Sequence, residues 1–514
     1  MQVTTLQSRF VRPNVFIRAL AATAMTCAAV FDPVWVLAAD VDSLRDKLRG
    51  GEASEQTAAA ASLGGLGALA VQAVPDLIAA IGSSDLAVQY ESVVALGRIG
   101  PAAHVAVPKL TELLSGDSAL LRRASIESLG KIGPRAQPAV PKLRELIAHD
   151  DAFISVPAAW ALVGIVGQAE NISAEVVPVL MKGLASSSDD VRRTAAAALA
   201  ELGGEAAVSA LSQTIRTGNT LAVVAASESL SMMGTTGKDA LPALATRLKS
   251  ERNLAGRWNL VRAVGSVGGD DPAAVSAVKS QLKDAESVVR VHALYAAGAL
   301  GPNAGSLVPD IAEALDDPEP AVRRAAATAL GEIGPGAVSA VDALGRAFGD
   351  REGVVTLAAA EALARIGQPA VPVLAKQLED PAFQTLAAHV LAQIGPAAAA
   401  AVPELAELLE SDDEETAMAA YAALGMIGEE TRVIGPELHR ILREGASPRR
   451  RAGAIYTLTK LGDETIVPQL SELLSGKTDP ILQLAASWSL VTFTPDDADL
   501  VQQALPVLAS NLNH

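Results

Sequence analysis

The sequence has almost no cysteine and few aromatic rings. One Cys stands in 514 residues, with 7 Phe, 4 Trp and 4 Tyr, or 3% aromatic in all. A single cysteine excludes an intrachain disulfide framework and any multi-cysteine metal centre. Basic residues are also in deficit, 41 against 58 acidic, for a formal net charge of −17. That balance argues against a nucleic-acid binder, which needs excess Lys and Arg to displace counterions from phosphates. What is present is apolar: 50% of the residues are hydrophobic, too many for wholesale disorder. An apolar content built on Ala, Leu and Val with so few rings predicts many thin, closely packed helices.

The first 39 residues read as an address. Arg9, Arg12 and Arg18 precede an uncharged apolar run from Ala19 to Phe31, followed by Val36-Leu37-Ala38-Ala39. Small residues closing a short apolar stretch are the cleavage signature of a secretory signal peptide, here after Ala38 or Ala39. The run falls short of the roughly 20 residues of a membrane span; an uncleaved anchor is the competing reading. Cys27 lies in this leader, behind Ala24-Met25-Thr26, a poor match to a lipoprotein box. Removing three basic residues and one acidic one from 41 and 58 leaves 38 and 57, a net of −19. The expected mature chain is therefore exported, periplasmic or secreted, free of cysteine and without a membrane span.

From residue 40 onward one unit repeats. A Val-Pro-x-Leu phrase recurs at Val74-Pro75, Val107-Pro108, Val140-Pro141, Val371-Pro372 and Val402-Pro403, with variants between and after them. From Pro75 to Pro506 there are 13 steps averaging about 33 residues. A second phrase follows each first, as in Leu96-Gly97-Arg98-Ile99-Gly100-Pro101 and Leu330-Gly331-Glu332-Ile333-Gly334-Pro335. Each unit predicts two helices. Helix A opens with Pro in its first turn, where the missing N–H costs nothing. Helix B of one unit is expected over Leu121 to Ile132, with Leu121, Ala124, Leu129 and Ile132 inward. Gly133 is expected to end it in a left-handed conformation, and Pro134 to prevent continuation.

These phrases, with Ala321-Val322-Arg323-Arg324-Ala325-Ala326 and Asp190-Val191-Arg192-Arg193-Thr194-Ala195-Ala196, resemble the HEAT repeat family, in particular its short bacterial PBS-lyase HEAT-like subclass. The resemblance covers residues 41 to 511 and implies an all-α fold, an α-solenoid of about 13 helix pairs. It implies one domain over 40–514, with a capping repeat over 41–67 and a capping helix over 495–511. It implies a concave face lined by the B helices. In the family an Asp–Arg ladder joins neighbouring repeats. Arg122, Arg192, Arg290 and Arg323 keep the Arg, whereas Gln89, Thr356 and Gln384 replace it, so the ladder is expected to be interrupted.

Catalytic and cofactor signals are weak, and no cofactor or metal site is expected. The six histidines are scattered, with no HExxH and no His-Glu pair of the kind a HEAT-like iron hydroxylase uses. Gly65-x-Gly67-x-x-Ala70 has no strand before it, Gly237-Lys238 lacks the upstream Gly of a phosphate loop, and Ser276-x-x-Lys279 lacks its companion motifs. The subclass includes bilin lyases, so a lyase-type enzyme or accessory is the alternative function.

One column stands out. Two residues before the Leu of each Leu-Gly phrase stand Trp160, Arg262, Tyr295, His389, Tyr456 and Trp488, among others. Tyr90 and Trp258 lie one helical turn earlier, on the same face. Six of the eleven aromatics beyond the leader thus share one stripe, with Arg123, Arg193, Arg262 and Arg324 beside it. Exposed rings on a repeat surface anchor protein partners; rings filling gaps between Ala-rich neighbours are the competing reading. The expected function is an exported, non-enzymatic scaffold that binds a protein or acidic peptide on this stripe. The acidic run Glu410 to Glu415 and the basic residues Arg443, Arg449, Arg450 and Arg451 of the next repeat are expected to neutralise one another.

Overall fold

In the computed structural model the described residues are 34–167, 172–444, 447–475 and 478–511. Arg9, Arg12, Arg18, the apolar run and Cys27 lie outside them, as does His514. Among the described residues there is no strand. The chain is an all-α solenoid of HEAT-type helix pairs, in two compact units, Val30–Ala296 and the residues from Ala297 onward.

The repeat can be followed through one copy. Helix A spans Val107–Leu113, with Pro108 in its first turn. Helix B spans Ala119–Ile132. The Oγ of Ser118 accepts from the Leu121 N–H at 3.3 Å and caps its start. Elsewhere Asp85, Asp151, Asn219, Asn253, Asp413 and Asp479 do the same. The expected inward residues are buried: Leu121 at 6%, Ala124 at 5%, Leu129 and Ile132 at 0% exposure.

The two-helix expectation misses a third element. Gly133 does have positive φ, 70°, but its ψ is −142°, an extended mirror-image conformation essentially confined to glycine rather than the left-handed helical one. Pro134 then opens a 3-10 helix, Gly133–Ala139, which runs directly into the next A helix, Val140–Leu146. Gly-Pro therefore stops one helix and starts another. The connector belongs to the core, because Ala136 and Ala139 are fully buried.

The Gly of the Leu-Gly phrase sets the spacing of B helices. A Cβ on Gly64 would stand 2.9 Å from the Ala95 Cα of the next B helix, and one on Gly265 would stand 2.6 Å from the Ala296 Cα. Only a residue without a side chain permits that approach. Within the second unit, Gly331 faces Ala362 in the same way.

The residues of the expected ladder bond first within their own repeats. Arg122 donates to the carbonyl of Gly116, Arg192 to Ser186, Arg290 to Asp284 and Arg323 to Asp317, each six residues back in its own repeat. Gln89 makes the equivalent bond to Ser83 at 2.6 Å, Thr356 to Asp350 at 3.1 Å and Gln384 to Leu378 at 2.8 Å. The replacements therefore do not interrupt this contact, since it needs a donor of suitable reach rather than a charge. Arg323 also reaches across to the carboxylate of Asp350 in the next repeat.

The acidic run and the basic residues do meet. Arg449 donates to Glu414 at 2.7 Å and Arg450 to the carbonyl of Ser411. Arg451 instead turns back to Leu442, and Arg440 takes the remaining part, pairing with Glu410 at 2.6 Å. One helical stretch, Gln384–Glu410, is 27 residues long and apolar enough by length and composition to cross a membrane. Gly395, at φ 68°, divides it into a B helix (Gln384–Ile394), a 3-10 connector (Gly395–Ala401) and an A helix (Val402–Glu407). It is built like the junction through Gly133–Ala139 described above.

Candidate functional site

The column singled out in the sequence lies on B helices; Trp160, His389, Tyr456 and Trp488 are half-buried, and Tyr295 is exposed. Trp160 covers the bare backbone of the preceding B helix: a Cβ on Gly130 would stand 2.6 Å from the indole ring. Burial pushes the Glu201 carboxyl above its ordinary pKa, against the lowering effect of the Trp160 indole N–H. Tyr456 covers Gly425 likewise, at 2.8 Å. Inter-repeat packing and partial exposure thus coexist in the same side chains.

Two clusters emerge. In the unit Val30–Ala296, Trp258 stacks on His292 with centroids 4.6 Å apart and planes 20° apart. Tyr295 meets His292 edge-on at 6.5 Å. The Arg262 guanidinium sits 5.4 Å from the Trp258 centroid, one helical turn along. Burial, and then the nearby Arg262 charge, push the His292 imidazole below its ordinary pKa. The ring stack therefore stays neutral at pH 7, and Arg262 carries the charge. In the unit from Ala297 onward, Tyr456 stacks on Trp488 at 5.5 Å and 20°. The Lys460 ammonium lies 5.8 Å and 5.9 Å from the two ring centroids. Burial raises the Tyr456 phenol above its ordinary pKa, so it remains a neutral donor.

The other stripe residues stand apart. The His389 ring bonds the Thr385 carbonyl at 2.7 Å, on its own helix. Arg123 is spoken for: it lies over Phe153 at 5.4 Å, bonds Glu127 at 3.0 Å and reaches Asp190 two repeats on. Arg193 is exposed and pairs with Asp189 at 3.2 Å. Arg324 is exposed and Tyr90 half-buried.

Sequence reasoning overlooked His292 and Lys460. Lys460 was within reach, because Tyr456 and Lys460 are four apart on a helix. His292 meets Trp258 only through lateral packing of neighbouring repeats, and no spacing along one helix reveals that. Among the described residues no group of three or more His, Cys, Asp or Glu side chains is placed to hold a metal.

The family model for HEAT repeats matches residues 41–130, 107–190, 177–258, 308–386 and 371–434. No curated protein matches. Among solved structures, importin beta crystallised in an ammonium sulfate condition is similar at 14% identity and TM-score 0.55, over 98% of this chain and 78% of that one. Yeast importin-beta (Kap95p) is similar at 12% and 0.53, over 98% and 79%. Kap95p from a structure concerning its binding to RanGDP is similar at 12% and 0.56, over 92% and 75%. At these identities the likeness is one of fold.

Proposed function

The chain belongs to the HEAT repeat family, and from that premise we propose that it is a non-enzymatic scaffold holding a protein partner, through an acidic segment, on the B-helix face. The observation that carries this reading is the Tyr456–Lys460–Trp488 cluster. Two stacked rings from adjacent repeats lie beneath an exposed ammonium group. Large rings beside a cation supply apolar contact and charge from one spot, the combination on which binding energy concentrates. The fold neighbour Kap95p, whose structure concerns binding to RanGDP, lends support by analogy. In this reading the B-helix face is the concave one, and residues 1–39 direct export to a periplasmic or secreted location. No observation favours the lyase-type alternative.

The test is affinity capture with the full chain, comparing wild type with Trp488→Ala and Lys460→Glu. The reading expects a partner retained by wild type and lost, by at least about tenfold, from both variants. Equal capture by all three proteins contradicts it.

A further inference from the structure

Exposed apolar side chains recur at the start of three consecutive B helices in the unit Val30–Ala296. Leu221 is 46% exposed, Leu254 41% and Val288 36%. Seven or eight residues further along the same helices stand Glu228, Arg262 and Tyr295, with Met232, 59% exposed, beyond them. Between the two rows lie the half-buried Val224, Trp258 and Val291. The result is an apolar floor bounded by two rows of side chains. Scattered exposed apolar residues are ordinary on any surface; here they recur, within one position of the same register, in the first turn of three neighbouring B helices.

The dimensions select an occupant. Packed helices lie about 8–10 Å apart, so the row Leu221–Leu254–Val288 has that step. An α-helix advances about 10.5 Å in seven residues. A helix laid across the three B helices therefore presents side chains i, i+7 and i+14 to one repeat each. The two rows are separated along each B helix by two turns, about 11 Å, close to the 10–12 Å diameter of a helix.

Charge narrows it further. Among the described residues the buried Arg262 Nε has no hydrogen-bond acceptor, and its Nη2 donates to the neutral Asn259 amide oxygen at 3.0 Å. Glu228, the acid of the same column, makes no ion pair with it among the described residues. Arg262 is thus a cation held in place by Trp258, at the edge of an apolar floor and without a carboxylate. Arg–carboxylate pairs are the strong, directional form of such a contact.

We propose that the B-helix face of residues 220–296 is the seat of an amphipathic partner helix, with apolar side chains at heptad spacing and one carboxylate that meets Arg262. This rests on the partner-binding reading above and names the chemistry of one seat on that face.

The experiment is selection of a displayed library of 18-residue peptides against the full chain. Binding of the enriched peptides is then measured to wild type, Arg262→Gln, Leu254→Ser and Trp488→Ala. Leu254 is exposed, and thermal melts of each variant check that the fold is intact. The expected result is a set of sequences with an Asp or Glu beside an apolar heptad pair. These lose at least about tenfold in affinity on Arg262→Gln and on Leu254→Ser, and replacing their acid by Gln gives the same loss without further effect of Arg262→Gln. Enriched sequences that are Pro-rich and extended, or that bind these two variants as well as wild type, overturn the proposal. So does a dimer of the chain that Leu254→Ser dissociates, because the occupant is then a second copy. Peptides that depend on Trp488 but not on Arg262 overturn this seat and leave the general reading standing. Peptides that depend on neither overturn both.

Discussion

The Arg323 guanidinium binds Asp350 of the following repeat with two bonds, Nε to Oδ2 at 2.6 Å and Nη2 to Oδ1 at 2.9 Å. Both side chains are close to buried, at 8% and 11% exposure. The same guanidinium donates to the carbonyls of Asp317 and Pro318. One side chain thus closes its own A–B loop and ties that loop to the next.

Removing the carboxylate strands a buried cation. Asp350→Ala is expected to destabilise the unit from Ala297 onward by about 3 kcal/mol, read as a lower urea midpoint. Thr356→Ala removes only the neutral bond to the Asp350 carbonyl and is expected to cost about 1 kcal/mol. Equal effects of the two substitutions contradict this account.

The pair also predicts an acid response. The bond from Arg323 holds the Asp350 carboxyl below its ordinary value of 3.8, against the opposing effect of burial. A depressed folded-state pKa gives stability that is complete above the ordinary value and lost as pH falls through the folded one. The difference in urea midpoint between wild type and Asp350→Asn is therefore full at pH 7 and shrinks below pH 3.8. A difference that stays constant down to pH 2 contradicts it.

Gly130 tests the packing of the B helices. A methyl group there meets the Trp160 ring at 2.6 Å and the Ala161 Cα at 3.1 Å, so Gly130→Ala is expected to cost about 1–3 kcal/mol. Gly353 begins a B helix with open space around its Cα. Gly353→Ala is expected to be neutral or slightly stabilising. Thermal melts of the two variants decide this directly, and similar melting points contradict it.

Much of this architecture is legible in the residues. Val-Pro marks many of the A helices and Leu-Gly several of the B helices, and the buried Leu129 and Ile132 are where helical periodicity puts them. The 3-10 connector is not legible, because Gly133-Pro134 reads as a stop signal and its ψ of −142° appears only in three dimensions. Gln89 and Gln384 look like losses when identity is compared. They count as retained when the question is which side chain can donate to a carbonyl six residues back. The candidate site divides in the same way. The column on the B helices follows from spacing, whereas the partition of its rings between covering a glycine and stacking across repeats depends on lateral contacts.

The i−6 bond itself can be challenged at Gln89. Gln89→Arg preserves a donor of greater reach and is expected to leave stability within about 0.5 kcal/mol, whereas Gln89→Leu loses about 1 kcal/mol. Hydrogen exchange of the loop 82–85 checks the locus: protection falls for Gln89→Leu alone. Unchanged protection in both variants contradicts the shared role.

The central claim is that a protein partner sits on the B-helix face. Its most direct measurement is site-specific photo-crosslinking, with a benzophenone side chain in place of Trp488 and, separately, in place of Glu112, an exposed residue of an A helix. The account predicts a discrete protein adduct from position 488 and none from position 112. Adducts of equal yield from both positions, or from 112 alone, would contradict it.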